Sequence, residues 1–365
     1  MSNRTAPTPV KKNPIYHPFP LPAARRSLIR SLLSFFGGAV LWLVLLIFAA
    51  WAAGALLYDL PVTAAIRTSA AAAYALLTLL AVIFIQGRWP AAAAVFCGGL
   101  AVLIWWRTLE PSNDRNWQPD VAEMPWADVA GDHVTLHNVR NCEYRTEMDY
   151  TPHWETRTVE LSHLRGIDLA INYWGSAWMA HPIVSFQFDN APPICFSIET
   201  RKVIGQSYSA IGGLYRQFEL IYICAEERDV IRVRTNYRHG EVVYLYRTTM
   251  TPERARERFL EYVSSINTLR AHPRWYNAAA TNCTTSIRSQ HAASERRPWD
   301  WRILINGYAD QMLYAQGAFA GDLPFAELKQ QALINESAQA ADTDPDFSER
   351  IRAGRAGFAS AVAHQ

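Results

Sequence analysis

The sequence predicts an α+β domain carried on an N-terminal three-helix transmembrane region. Three observations predict it. Residues 34–106 hold only three charged side chains, Asp59, Arg67 and Arg88. Between residues 133 and 247 short runs alternate apolar and polar positions or are rich in β-branched residues, as strands do. After Thr251 the apolar positions recur at helical spacing.

The elements follow in chain order. Residues 1–33 form a basic tail with Arg4, Lys11, Lys12, Arg25, Arg26 and Arg30 and no acid. The remaining chain holds 29 Lys and Arg against 33 Asp and Glu, so the basic excess flanks a membrane and does not describe a nucleic-acid surface. Residues 34–58 are uncharged and, at about 1.5 Å per helical residue, long enough for a hydrocarbon layer of roughly 30 Å. The run is too long for a cleaved signal peptide, and no polar mature region follows it. Asp59-Leu60-Pro61 breaks the helix, residues 68–85 are the second apolar run, and Gln86-Gly87-Arg88 turns into the third, residues 89–106, with Trp105 and Trp106 at the interface. The cationic tail holds the N-terminus in the cytoplasm, and Arg88 falls on the same side. Three crossings then turn the rest of the chain outward, with Arg67 the one cation on the opposite side.

Residues 107–128 read as a polar connector, 129–305 as the soluble domain and 306–365 as a C-terminal helical extension. Strands are expected at residues 134–139, 156–161, 182–188, 194–199 and 241–247, with 218–224 strand-like and 227–234 open to either element. Thr251 and Pro252 start a helix whose apolar face is Phe259, Tyr262, Val263, Ile266 and Leu269, and His272-Pro273 ends it. The arrangement is an antiparallel sheet with packed helices.

Five cysteines occur, at 97, 142, 195, 224 and 283. None has zinc-site spacing, so no metal or cofactor is expected; a disulfide among Cys142, Cys195 and Cys224 is open. Cys283 stands among small polar residues, Thr281-Asn282-Cys283-Thr284-Thr285, that resemble a helix start. Unsatisfied N–H groups and the positive end of a helix dipole favour thiolate there and suit an oxyanion. The alternative is a buried or disulfide-bonded cysteine. A thiol nucleophile needs a base and a group to orient it. His181 precedes one strand and Glu199 ends the next, so antiparallel pairing would bring them together. The alternatives are a surface or core histidine and a solvated glutamate. Arg140, Arg201, Lys202 and Asn282 are secondary candidates, the cations for holding a lipid phosphate, and Tyr173, Trp174, Trp178, Trp275 and Tyr276 are candidates for an apolar substrate wall, against surface pairing or core packing. Arg228 with Asp229, and residues 253–258, read as solvated helix faces.

Short segments in order resemble one family. They are Val139-Arg140-Asn141, Tyr144-Arg145, Thr151-Pro152, Trp154-Glu155, Leu164-Arg165-Gly166-Ile167-Asp168 and Tyr173-Trp174-Gly175-Ser176. His181 to Phe186, Phe196 to Arg201, Tyr208-Ser209-Ala210, Glu227 to Ile231, Thr235 to Arg238, Val243 to Arg247 and Asn282 to Thr285 complete them. Together they resemble the Lnb N-terminal periplasmic domain family. The resemblance implies a circularly permuted papain-like (NlpC-type) thiol enzyme, in which histidine and its polar partner precede the cysteine. Cys283 is then the nucleophile, His181 the base and Glu199 the orienting group; Asn282, Arg201, Tyr173 and Arg140 are substrate-binding candidates. The implied activity is acyl transfer from a phospholipid donor to the N-terminal amine of a diacyl lipoprotein, in a bacterial inner membrane with the catalytic domain in the periplasm. A cell-envelope amidase or peptidase, a lipid deacylase, and a binding module with an inert site are the alternatives.

Overall fold

The computed structural model describes residues 23–278 and 306–358. Among these, contacts divide the chain into a unit of residues 23–57 and 62–105 and a second of residues 58–61, 106–278 and 306–358.

The first unit is helical: it holds α1 (Ala23–Asp59) as far as Leu57, α2 (Ala64–Phe84), and α3 (Arg88–Arg107) as far as Trp105. All three are long and apolar enough to cross a membrane. Leu41, Trp42, Leu45 and Ala49 of α1 pack with Ala92 and Val95 of α3, while residues such as Val40, Leu43, Ile47, Leu77 and Phe96 face outward. Large apolar side chains turned outward on every helix suit a lipid surround rather than water.

The second unit is built on an eight-stranded sheet with strand order β1-β2-β9-β8-β7-β6-β10, and β5 also paired to β2. Its strands are β1 (Trp126–Ala130), β2 (His133–Arg140), β5 (Trp154–Glu160), β6 (Leu164–Trp174), β7 (Ala180–Phe188), β8 (Ile194–Arg201), β9 (Glu219–Ala225) and β10 (Glu241–Arg247). A small hairpin of β3 (Glu143–Tyr144) and β4 (Tyr150–Thr151) stands apart. Pairing is antiparallel except where β2 meets β9 at Arg140 and Ala225, so the sheet is mixed. β1 begins inside the segment expected to be connector, and β6 was not expected as a strand. Its residues Leu164, Gly166, Ile167, Asp168, Ala170, Ile171 and Asn172 are buried, which removes the alternation that marks a half-exposed strand.

One face of the sheet is covered by α5 (Pro252–Ala271). Its buried side chains are Ala255, Phe259, Tyr262, Val263, Ile266 and Leu269, the apolar stripe read from the sequence. Phe259 meets Phe186 edge-on at 5.0 Å between ring centres, and Tyr262 lies 5.0 Å from Phe196. Thr251 caps the helix, its hydroxyl accepting from the Arg254 N–H, with Pro252 in the first turn. Thr251→Ala is expected to cost about 0.5–1 kcal/mol and lower the melting temperature of the detergent-solubilised protein by a few degrees. An unchanged melting temperature would show that the cap contributes nothing.

Residues 306–358 belong to this second unit. α6 (Ala309–Ala315), α7 (Phe325–Ala332), α8 (Asn335–Ala340) and α9 (Phe347–Arg350) are short. Phe319 stacks on Tyr246 at 4.3 Å, the Ile334 N–H donates to the Val243 carbonyl, and Phe347 and Ile351 are fully buried. Arg352 reaches into the sheet to pair with Asp168 of β6 and with Glu227.

Candidate active site

β7 and β8 place the central groups. Their register sets Ile183 opposite Ser197 and Val184 opposite Phe196. Continued by two residues, it brings His181 level with Glu199. Both side chains and Ser197 lie on one face, because residues two apart on a strand point the same way. The His181 Nε2 is 2.7 Å from the Ser197 Oγ and 3.3 Å from the Glu199 Oε1. The Ser197 hydroxyl donates to the same carboxylate oxygen at 2.6 Å. His181 is 7% exposed and Ser197 fully buried. The Trp174 ring stands edge-on to the imidazole, 6.4 Å between centres.

Arg234 supplies the charge behind this arrangement. It lies in a π-helical turn, Val233–Tyr237, directly after α4 (Glu227–Val230). Its Nη2 donates to the Glu199 Oε1 at 2.5 Å, its Nη1 to the Val230 carbonyl at 2.8 Å, and its side chain is 3% exposed. Burial alone would raise the Glu199 carboxyl. The charges of His181 and Arg234, with hydrogen bonds from His181 and Ser197, outweigh it and hold Glu199 well below the usual carboxylate range. An ionised Glu199 bonded at Nε2 turns Nδ1 of the ring away from the carboxylate and stabilises an imidazolium.

Glu199 contributes stability in full above its unfolded value, about 4.3, and this is lost as pH falls through the lower folded value. The stability advantage of the wild type over Glu199→Gln is therefore expected to shrink on acidification below about pH 4, read as melting temperature against pH. A difference that stays constant through that range would contradict an ionised Glu199.

The nucleophile expected at Cys283, and Asn282 beside it, lie outside the described residues. The chain approaching them is described. Trp275 bridges to Glu219, the Tyr276 N–H donates to the Phe218 carbonyl at 2.9 Å, and the Ala278 N–H to the Gly213 carbonyl at 2.7 Å. Cys142, Cys195 and Cys224 are free and buried, so the disulfide left open among them is not formed. Burial pushes the Cys142 thiol up to about 12 and raises Cys195 and Cys224 as well, which keeps all three protonated and unreactive.

The other expected residues divide. Arg140 is 5% exposed, and its guanidinium is paired with Asp229 at 2.6 Å and bonded to the Asp120 carbonyl at 2.9 Å. Arg201 is 2% exposed, donates to the carbonyls of Val121 and Ala122 and to Asn113, and lies over the Trp117 ring. Both are framework cations with their donors committed inside the protein, and neither is placed to hold a lipid phosphate. Asp229, expected to be solvated, is fully buried for the same reason. Tyr173 does face a cleft. It lines a cavity of about 690 Å³ with Trp174, Gly240, Tyr244, Asp310 and Lys329. Lys329 spans that cavity wall, 4.6 Å from the Tyr173 ring centre and paired with Asp310 at 2.6 Å. Trp174 thus belongs both to this cleft and to the surroundings of His181.

Ser197 and Arg234 were not anticipated. Ser197 carries a signal, two residues before Glu199 on the same strand face. Arg234 carries none, being 35 residues beyond Glu199 in an irregular turn.

A buried imidazole is thus bonded to a carboxylate on the adjacent strand, with an arginine fixing that carboxylate, an arrangement that could orient a base beside a nucleophile. Residues 150–307 match the family model of the Lnb N-terminal periplasmic domain. The match contains His181, Ser197, Glu199 and Arg234 as well as Cys283. No curated protein and no solved structure matches the chain.

Proposed function

We propose that this membrane protein is a thiol acyltransferase, with Cys283 as nucleophile, His181 as base and Glu199 as the group that orients the base. The proposal extends the bonded His181–Glu199 pair, the observation that carries it, to the thiol that follows in the same domain. It also takes the fold to be the permuted papain-like arrangement, with the basic tail in the cytoplasm and the domain on the far side of a bacterial inner membrane.

In the first half-reaction His181 takes the Cys283 proton and the sulfur attacks the ester carbonyl of a phospholipid. The C–O bond breaks, the lysophospholipid oxygen takes that proton from the imidazolium, and an acyl thioester remains. In the second, the N-terminal amine of a diacyl lipoprotein attacks the thioester. His181 accepts the amine proton and returns it to the departing sulfur, giving an amide and the free enzyme. Glu199 holds the ring in one tautomer and stabilises its cationic form in both steps. Confinement to the bilayer suits two lipid substrates, since extraction costs about 0.8 kcal/mol per CH₂.

The full-length protein in phosphatidylethanolamine vesicles, given a diacylglyceryl lipopeptide, is expected to form triacyl lipopeptide and lysophospholipid in equal amounts. Free fatty acid in place of acylated amine would make it a deacylase, and neither product would refute lipid chemistry at the site.

A further inference from the structure

Between β8 and β9 the chain forms a loop, residues 202–218, with a fixed backbone and a greasy surface. Its shape is held by hydrogen bonds. The Ile204 N–H donates to the Asn116 carbonyl at 2.8 Å, the Val203 N–H to the Gln206 side chain at 3.0 Å, and the Gly213 N–H to the Ser209 carbonyl at 2.8 Å. Gln118 and Gln206 side chains bond across it to the carbonyls of Gln206 and Gln217. Yet Ile204 is 58% exposed, Ile211 59%, Leu214 46% and Tyr208 43%. A loop bonded this fully has not failed to bury its apolar residues by fraying. Four such side chains within residues 204–214 are presented outward from one loop, and exposed apolar surface of this kind marks a face that is covered in use.

The neighbours of the loop identify what covers it. Within the same unit, Tyr215 stacks on Tyr58 at 5.1 Å, and the Arg216 N–H donates to the Asp59 carboxylate at 3.1 Å. The Arg216 guanidinium lies 4.0 Å from the Trp106 ring centre and donates to the Trp106 carbonyl at 2.7 Å. Tyr58 and Asp59 end the first apolar span, and Trp106 is the penultimate residue of the third. The loop is therefore fastened to residues at which the chain enters and leaves hydrocarbon. Aromatic side chains with arginine at such a level are characteristic of the membrane–water interface. The charge agrees: residues 202–218 contain Lys202 and Arg216 and no acid, which suits anionic headgroups.

We propose that Ile204, Tyr208, Ile211 and Leu214 insert into the interfacial layer of the bilayer that the three helices cross, so that the domain is seated on lipid by this loop as well as by its spans. The seat is independent of any chemistry at Cys283. It bears on that chemistry because the same loop, through Gly213 and Leu214, is bonded to Ala278 and Asn277.

The test uses an environment-sensitive fluorophore on a cysteine introduced at Ile211, Ile204 or Tyr208. The background is the full-length Cys97→Ser, Cys283→Ser protein in phosphatidylethanolamine–phosphatidylglycerol vesicles. A label on Glu257→Cys, whose side chain is 61% exposed on α5, is the aqueous reference. The loop labels are expected to emit further to the blue than the reference, to resist aqueous iodide, and to be quenched by lipids carrying a shallow nitroxide. Iodide quenching equal to the reference at all three positions would overturn the proposal. So would a blue shift that lipid nitroxides leave unquenched, since that outcome means a protein partner or a second copy covers the loop. Three positions are read so that one misfolded variant, identified by its melting curve, leaves the others to decide.

Discussion

His181→Ala is expected to lower acyl transfer by about 10²–10⁴-fold, the range a positioned general base contributes. In the proposed reaction the imidazole moves a proton in each half-reaction, and the Ser197 hydroxyl that touches it is already committed to Glu199 and too weakly basic to substitute. The fall should appear in kcat, because alanine removes a group needed in the transition state rather than a substrate contact. Alkylation of Cys283 by iodoacetamide near neutral pH should slow in the same variant, since the imidazolium that favours thiolate is gone. Glu199→Gln should act in the same direction through tautomer and charge, with a smaller fall. Unchanged turnover in His181→Ala would remove the imidazole from the mechanism, however well it is placed.

The largest effect on stability is expected from Arg352→Met. The Arg352 side chain is 12% exposed and lies among fully buried carboxylates, 2.5 Å from the Glu227 Oε1 and 2.8 Å from the Asp168 Oδ2. Burial would raise the Glu227 carboxyl, and the Arg352 charge outweighs it, so Glu227 is held low. Asp168 retains Arg247 at 2.6 Å when Arg352 is removed, but Glu227 keeps only neutral partners such as Ser185. Leaving a carboxylate buried without its cation costs about 3–5 kcal/mol, a fall in melting temperature on the order of 10 °C for a domain of this size. Arg350→Met is the control: its ion pair with Asp344 is on the surface, Arg350 being 54% exposed, and its loss should be nearly silent. Equal melting temperatures for the two variants would show that the buried cluster is not what anchors the C-terminal segment.

These two sites differ in how far the sequence revealed them. His181 and Glu199 were legible because each lies on a strand marked by its own pattern, and antiparallel pairing of neighbouring strands does the rest. Phe259, Tyr262 and Ile266 were legible for a similar reason, since a capped amphipathic helix is encoded within twenty residues. Arg352 and Asp168 are 184 residues apart, and nothing local in either segment names the other. The same holds for Arg140 and Asp229, which read as a phosphate ligand and a solvated acid until the fold paired them. β6 was hidden for a different reason. A central strand buried on both faces loses the alternation that identifies strands, and its Gly166, Asp168 and Asn172 dilute the apolar run. The exposed apolar side chains of residues 204–214 are unremarkable in one dimension and acquire meaning only beside Tyr58 and Trp106.

A Cys283 that carries the acyl group between donor and acceptor must be found acylated when no acceptor is present. The decisive measurement incubates the full-length protein with phospholipid and no amine acceptor, quenches it in acid, and weighs the peptide that contains Cys283. That peptide is expected to gain the mass of one fatty acyl chain, hydroxylamine to remove it, and His181→Ala to slow its appearance greatly. Triacyl lipopeptide formed by an enzyme whose Cys283 peptide never becomes acylated would exclude the thioester.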